Sequence, residues 1–291
     1  MDAVAQRLLS ERGPGGRIPH HPYAKWVGAH WVLATLAELG HPKGDRSLFP
    51  LREQVLEWIL DPARLRPRRA GDHPYLAPIL AVRGRVRAHA SIEGNAIWSL
   101  LSLGLEDERV EALAARLLEW QWPDGGWNCD RAPGASSSSF TETLIPLRAL
   151  ALHAKRTGAR RSREAAARAA EVFLSRKLYL SRRTGEPISP RFTLLHFPWY
   201  WHYDVLVGLK AMGEAGALSD PRCADALALL RSKRLLGGGF PAEERFWDAG
   251  ARASSSRRSL VDFGPVSRTR ENLFVTAQAE AVLDLAKAAG R

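Results

Sequence analysis

Five strongly apolar segments, each closed by a glycine, recur along the chain: "WVLATLAELG" (31–40), "AIWSLLSLG" (96–104), "TLIPLRALALHAKRTG" (143–158), "DVLVGLKAMGEAG" (204–216) and "FVTAQAEAVLDLAKAAG" (274–290). Their closing glycines are separated by 64, 54, 58 and 74 residues. A glycine just past the last helical residue is a common helix stop, because it adopts the left-handed backbone at little cost. Helices that are apolar nearly all round must be covered on most sides. Four of the five are followed by a more amphipathic segment with a similar ending: "QVLEWIL", "RLLEWQW", "EVFLSRKLYL" and "ALLRSKRLL", with Leu56-Glu57-Trp58 and Leu118-Glu119-Trp120 matching outright. Such an alternation reads as an array of helical hairpins. Five apolar and four or five amphipathic helices meet their burial needs by closing into a double ring, with the apolar set inside. An open solenoid is the alternative, and the irregular spacing and small repeat number favour closure.

The spacing predicts helices over 22–40, 46–60, 91–104, 107–121, 138–157, 160–178, 197–215, 219–233 and 270–289, with a weaker one over 2–11. Asp45, Ser91 and Ser219-Asp220-Pro221 supply start signals. Strand-period alternation is nearly absent. The expected fold class is therefore all-α, an α/α double ring in one domain over 1–291, with two long loops at 61–90 and 234–269. The "SSSRRS" core of the second is expected to be mobile.

Composition excludes more than it selects. The 291 residues carry two cysteines, far apart, and no apolar run long enough to span a bilayer, so a reduced cytoplasmic protein without an integral membrane segment is expected. The net charge of +11 suggests nucleic acid, but 35 of the 42 basic residues are scattered arginines with no recognition motif beside them. A solvated basic surface is the expectation, with an anionic ligand such as a diphosphate second. No nucleic-acid partner is expected, and peripheral membrane contact stays open.

The stretch "LLEWQWPDGGWNCD" (Leu117–Asp130) packs three tryptophans, two glycines and Cys129 into fourteen residues between an amphipathic and an apolar helix. Gln121 ends the first helix, Asp124-Gly125-Gly126-Trp127 makes the turn, and "SFTETLIPLRAL" (139–150) enters the next. This resembles the QW repeat of the squalene cyclase and prenyltransferase superfamily. A worn second copy is "LLRSKRLLGGGF" (229–240), with Phe240 in the aromatic place. The resemblance implies a single terpenoid cyclase-like α/α toroid. It implies a structural role for Gln121, Asp124, Gly125, Gly126 and Trp127, which would tie an outer helix to an inner one.

A cavity mouth would lie at the N-terminal ends of the inner helices, where aromatics and acids meet. Trp31 and His30 start one; Glu93, Asn95 and Trp98 the next; Phe140 and Glu142 the third; Trp199, Trp201, His202 and Asp204 the fourth. Aromatic faces stabilise cations and acids start or quench them, as an isoprenoid cyclase requires. On this reading Glu142, Asp204, Glu93, His202 and His30 are catalytic candidates, and Trp31, Trp98, Phe140, Trp199, Trp201 and Asn95 bind substrate. Set against that, acids in a first helical turn also serve the helix dipole and capping boxes, and aromatics at helical spacing also serve a core.

Two departures from the family matter. The D-x-D-D acid run of class II terpene cyclases is absent, and so is the aspartate-rich metal motif of diphosphate-ionising synthases. No cofactor is expected. A secondary alternative is a zinc-dependent prenyltransferase-like subunit holding the ion on Cys129, Asp130 and His202. A third is a non-catalytic toroid that binds a lipid or a protein.

Overall fold

The computed structural model describes residues 2–65, 79–250 and 256–290. Residues 66–78 of the first long loop and 251–255 of the second, including the start of "SSSRRS", lie outside the described residues. The chain is mostly helical: α1 (Asp2–Leu8), α2 (Ala29–Glu38), α3 (Phe49–Leu60), α4 (Ala90–Leu103), α5 (Arg109–Trp120), α6 (Phe140–Thr157), α7 (Arg160–Leu174), α8 (Val205–Glu214), α9 (Ala224–Ser232) and α10 (Leu273–Ala288). Strand structure among the described residues is confined to the two long loops. There β1 (Ile79–Val82) pairs antiparallel with β2 (Arg85–Arg87), and β3 (Asp248–Ala249) pairs parallel with β4 (Arg258–Ser259).

The helices begin where short polar side chains take up free amide groups. Ser139 accepts from the Glu142 amide at 3.4 Å, Asp204 from Val207 at 2.8 Å, and Asn272 from Phe274 and Val275 at 3.0 and 3.1 Å. Asp45 and Asp220 head 3-10 turns that run into α3 and α9. Gly104 and Gly158 close α4 and α6 in the left-handed region, at φ 66° and 75°.

Several boundaries differ from the sequence expectation; α7, for one, ends at Leu174 and not at 178. Ser91 does not cap α4; the helix begins at Ala90, with His89 in the cap position. Residues 22–28 are not helical, because they fold back so tightly that a Cβ on Gly28 would lie 2.3 Å from the Pro22 carbonyl oxygen. Residues 197–204 are not helical either: Pro198 has no amide hydrogen, Tyr200 sits at φ 52°, and helix α8 starts only after Asp204.

Contacts run in sequence from α2 to α4, α6, α8 and α10, while α3, α5, α7 and α9 pack against them. The tightest crossing is α4 on α6, where a Cβ on Gly94 would lie 2.8 Å from the Pro146 nitrogen. One contiguous core runs from Leu8 to Ala286. A buried polar cluster ties the same five helices together. Arg148 of α6 pairs with Glu38 of α2 at 2.5 Å and Glu214 of α8 at 2.6 Å, and its guanidinium stacks 4.1 Å over Trp98 of α4. Lys210 of α8 reaches Glu38 and the Gln278 side chain of α10, and Gln278 donates to the Glu38 carbonyl oxygen at 3.2 Å.

Two turns repeat one hydrogen-bond pattern. In the first, the Trp122 amide donates to Gly126 O, the Gly125 amide to Trp122 O and the Ser139 amide to Trp127 O, while the Trp127 amide donates to Thr143 Oγ1 at 3.1 Å. In the second, Leu235 donates to Gly239 O, Gly238 to Leu235 O and Asn272 to Phe240 O, while the Phe240 amide donates to Thr276 Oγ1 at 2.8 Å. The Gln121 amide group donates to Gly125 O at 2.7 Å, and Arg234 donates to Gly238 O in the matching place.

Candidate functional site

A cavity of about 760 Å³ opens beside the N-terminal ends of α2, α4, α6 and α8 and the second long loop. Its lining comes from His21, Tyr23, Ala24 and Lys25 before α2; His89 and Ser91 at α4; Cys129, Thr141 and Glu142 at α6 and the loop before it; Trp201 before α8; and Ser256 of the second long loop.

The chemistry is concentrated on one wall. His89, Cys129 and Glu142 each bring a donor atom to within 4.8 Å of the others. His89 Nδ1 lies 2.9 Å from Glu142 Oε1, and the Ser91 amide donates to Glu142 Oε2 at 3.1 Å. Burial, and next the Glu142 charge, push the Cys129 thiol up to about 12. Lys25, also in the lining, lies 5.3 Å from the Trp201 ring centre and 5.6 Å from that of Trp26. Burial lowers its pKa, and no carboxylate pairs with it among the described residues. Tyr23, whose phenol burial raises above the usual range, belongs to an aromatic nest with His30, Trp31 and Trp58.

Of the sequence candidates, Glu142 and Trp201 line the cavity, and Cys129 does too. His30 and Asn95 meet behind the wall, the Asn95 amide donating to His30 Nε2 at 3.0 Å. Burial, with the Arg64 charge, lowers the His30 pKa to about 3, so it is neutral. Trp31 packs edge-on to His30, with ring centres 4.8 Å apart. Glu93 is fully buried and turns away toward Arg64 at 2.5 Å and Arg116 at 3.8 Å. Asp204 is fully buried; its oxygens accept from the amides of Val207 and His196 and from Trp199 Nε1 at 3.2 Å. His202 is sandwiched between Trp201 and Phe246, with ring centres 3.9 and 3.4 Å away, and burial lowers its pKa to about 2. Trp98 lies under Arg148. Phe140 packs among Phe173, Phe192 and Tyr203. Asp130 is exposed and accepts from the Ala132 amide, so neither it nor His202 joins the cluster around Cys129 among the described residues.

The residues that sequence reasoning passed over are His89, Lys25, Tyr23 and His21. His89 sits two positions before the expected helix start at Ser91. Tyr23 and Lys25 fall inside the helix expected from residue 22, and His21 lies just before it. A helix beginning at Gly28 would have put them in the approach loop, and the Pro22 and Gly28 pair was the available signal.

No protein-family model matches the chain, and no curated protein matches it. Among solved structures, the chain aligns with a variant of the type II terpene cyclase MstE from Scytonema, in complex with geranylgeranyl dihydroxybenzoate. The alignment has 16% identity and a TM-score of 0.30, and covers 99% of this chain and 96% of that one. A superposition this loose carries no weight for fold or activity. Among the described residues no helix is long and apolar enough to cross a membrane.

Proposed function

We propose that the chain is a single-domain α/α toroid of the terpenoid cyclase and prenyltransferase type, and that it takes an isoprenoid or other hydrophobic molecule into the cavity at the N-terminal ends of its inner helices. Helices α2, α4, α6, α8 and α10 form the inner ring, and α3, α5, α7 and α9 wrap it. The sequential contacts from α2 to α10 and the Gln278–Glu38 hydrogen bond between the last and first of them support this closure.

The observation that carries the functional reading is the cavity itself: about 760 Å³, with residues from the approach to α2, α4, α6 and α8 and from the second long loop. That volume is typical of a site for a small organic ligand. Tyr23 and Trp201 give it aromatic walls, and Lys25, with no carboxylate partner among the described residues, gives it a cation to meet an anionic head group such as a diphosphate. A hydrophobic chain with an anionic head is therefore the ligand class that fits best.

The test is a panel of farnesyl diphosphate, geranylgeranyl diphosphate and squalene, followed by thermal shift and product analysis. A true ligand present at 100 times its Kd stabilises the protein by about 2.7 kcal/mol. At least one panel member should do so, and Lys25→Ala should weaken the effect while the unliganded melting temperature stays near the wild-type value. A folded protein that no member of the panel stabilises would count against the proposal.

A further inference from the structure

We propose that His89, Cys129 and Glu142 form a binding site for one zinc ion, with its fourth coordination position open to the cavity. The three side chains come from separate parts of the chain: the cap of α4, the loop after Trp127, and the first turn of α6. They offer one nitrogen, one sulfur and one oxygen, all within 4.8 Å of one another. Metal–ligand distances of about 2.0–2.3 Å in a tetrahedron need donor separations of roughly 3.3–3.7 Å. On this proposal the three side chains adjust to that spacing when the ion binds.

The site is also built behind the ligands. The Ala88 amide donates to the Asn128 carbonyl oxygen at 3.3 Å, which ties the residues just before His89 and Cys129 to each other. The Ser91 amide holds Glu142 Oε2 at 3.1 Å, leaving Oε1 turned toward His89. The Ser139 amide and the Thr143 hydroxyl both bind Trp127, which fixes the Cys129 loop to α6. Outer hydrogen bonds of this kind are what orient metal ligands.

Charge and softness select the ion. A thiolate and a carboxylate together balance a divalent cation, with neutral imidazole as the third donor. The mixed sulfur, nitrogen and oxygen set suits zinc, whereas magnesium and calcium prefer oxygen alone. Three protein ligands with one open position is the arrangement of catalytic zinc sites, in contrast to the four protein ligands of structural ones. The open position faces the cavity, where a polar group of the bound molecule can reach it.

The experiment is titration of metal-free full-length protein with zinc against a chromophoric chelator, and with cobalt(II) followed by absorption, both without any hydrophobic ligand. We expect one ion per chain and a near-ultraviolet thiolate-to-cobalt band. Cys129→Ser should abolish that band. His89→Gln and Glu142→Gln should each weaken zinc binding by roughly tenfold or more, while Asp130→Asn and His202→Ala should bind as the wild type does. Circular dichroism of each variant separates loss of metal from loss of fold. No stoichiometric binding to folded wild type, or a cobalt band that survives Cys129→Ser, overturns the site. Because the titration contains no hydrophobic ligand, failure here leaves the cavity reading standing, and failure of the isoprenoid panel leaves the metal result standing.

Discussion

At the scale of single residues, Trp127 shows how one side chain joins two helices. It is 1% exposed, its indole nitrogen donates to Leu117 O of α5 at 3.0 Å, and its backbone is held by Ser139 and Thr143 at the start of α6. The glycines beside it have no substitute: a Cβ on Gly125, at φ 99°, would lie 2.4 Å from Arg168 O, and one on Gly126 would lie 2.4 Å from Thr143 Oγ1. Trp127→Ala removes a large buried ring and should cost roughly 3–5 kcal/mol, measured by urea denaturation. The remaining folded protein should still bind the cavity's ligand. A variant of normal stability that has lost the ligand would contradict a purely structural role.

At the scale of elements, the two turns at 121–127 and 234–240 solve the same problem with different residues. Each must turn the chain from an outer helix into an inner one and leave the aromatic residue's backbone amide satisfied. A threonine in the following helix does that in both: Thr143 for Trp127 and Thr276 for Phe240. Thr→Val keeps the shape and deletes the acceptor, which strands a buried amide at a cost of about 1–3 kcal/mol. Thr143 is fully buried and Thr276 only partly so. Thr143→Val should therefore lie near the upper end of that range and Thr276→Val near the lower, as read from denaturation midpoints at constant slope.

At the scale of the whole molecule, the Glu38, Arg148, Lys210 and Glu214 cluster acts on all the apolar helices at once. Burial works to raise the Glu38 pKa, but Arg148 and Lys210 outweigh it and hold the carboxyl below its usual value. The sign follows from that direction. Glu38's contribution to stability is complete above its unfolded pKa, about 4.3, and is lost as pH falls through the lower folded value. Glu38→Gln leaves Arg148 short of a buried partner and should cost about 3–5 kcal/mol at pH 7. The gap between wild type and Glu38→Gln, measured by denaturation across pH, should narrow as the pH drops below about 4. A gap that stays constant to pH 3 would place the stabilisation elsewhere.

Local structure is legible in the sequence alone. Apolar periodicity, capping residues such as Asp45 and Asp220, and closing glycines such as Gly104 specify helices because each acts within one or two turns of backbone. They also mark the helix starts as the level at which polar and aromatic side chains gather. Which of those side chains meet is set by the packing of segments distant in the chain. The histidine beside Cys129 is His89, 40 residues earlier, while His202, in a segment dense with aromatics, lies between two rings. Glu93 and Glu142 both occupy a first helical turn, yet one faces Arg64 and the other faces the cavity. Periodicity assigns a residue to a face of its own helix. What that face meets depends on the crossings of helices far apart in the chain, such as Gly94 against Pro146, and no local pattern encodes them.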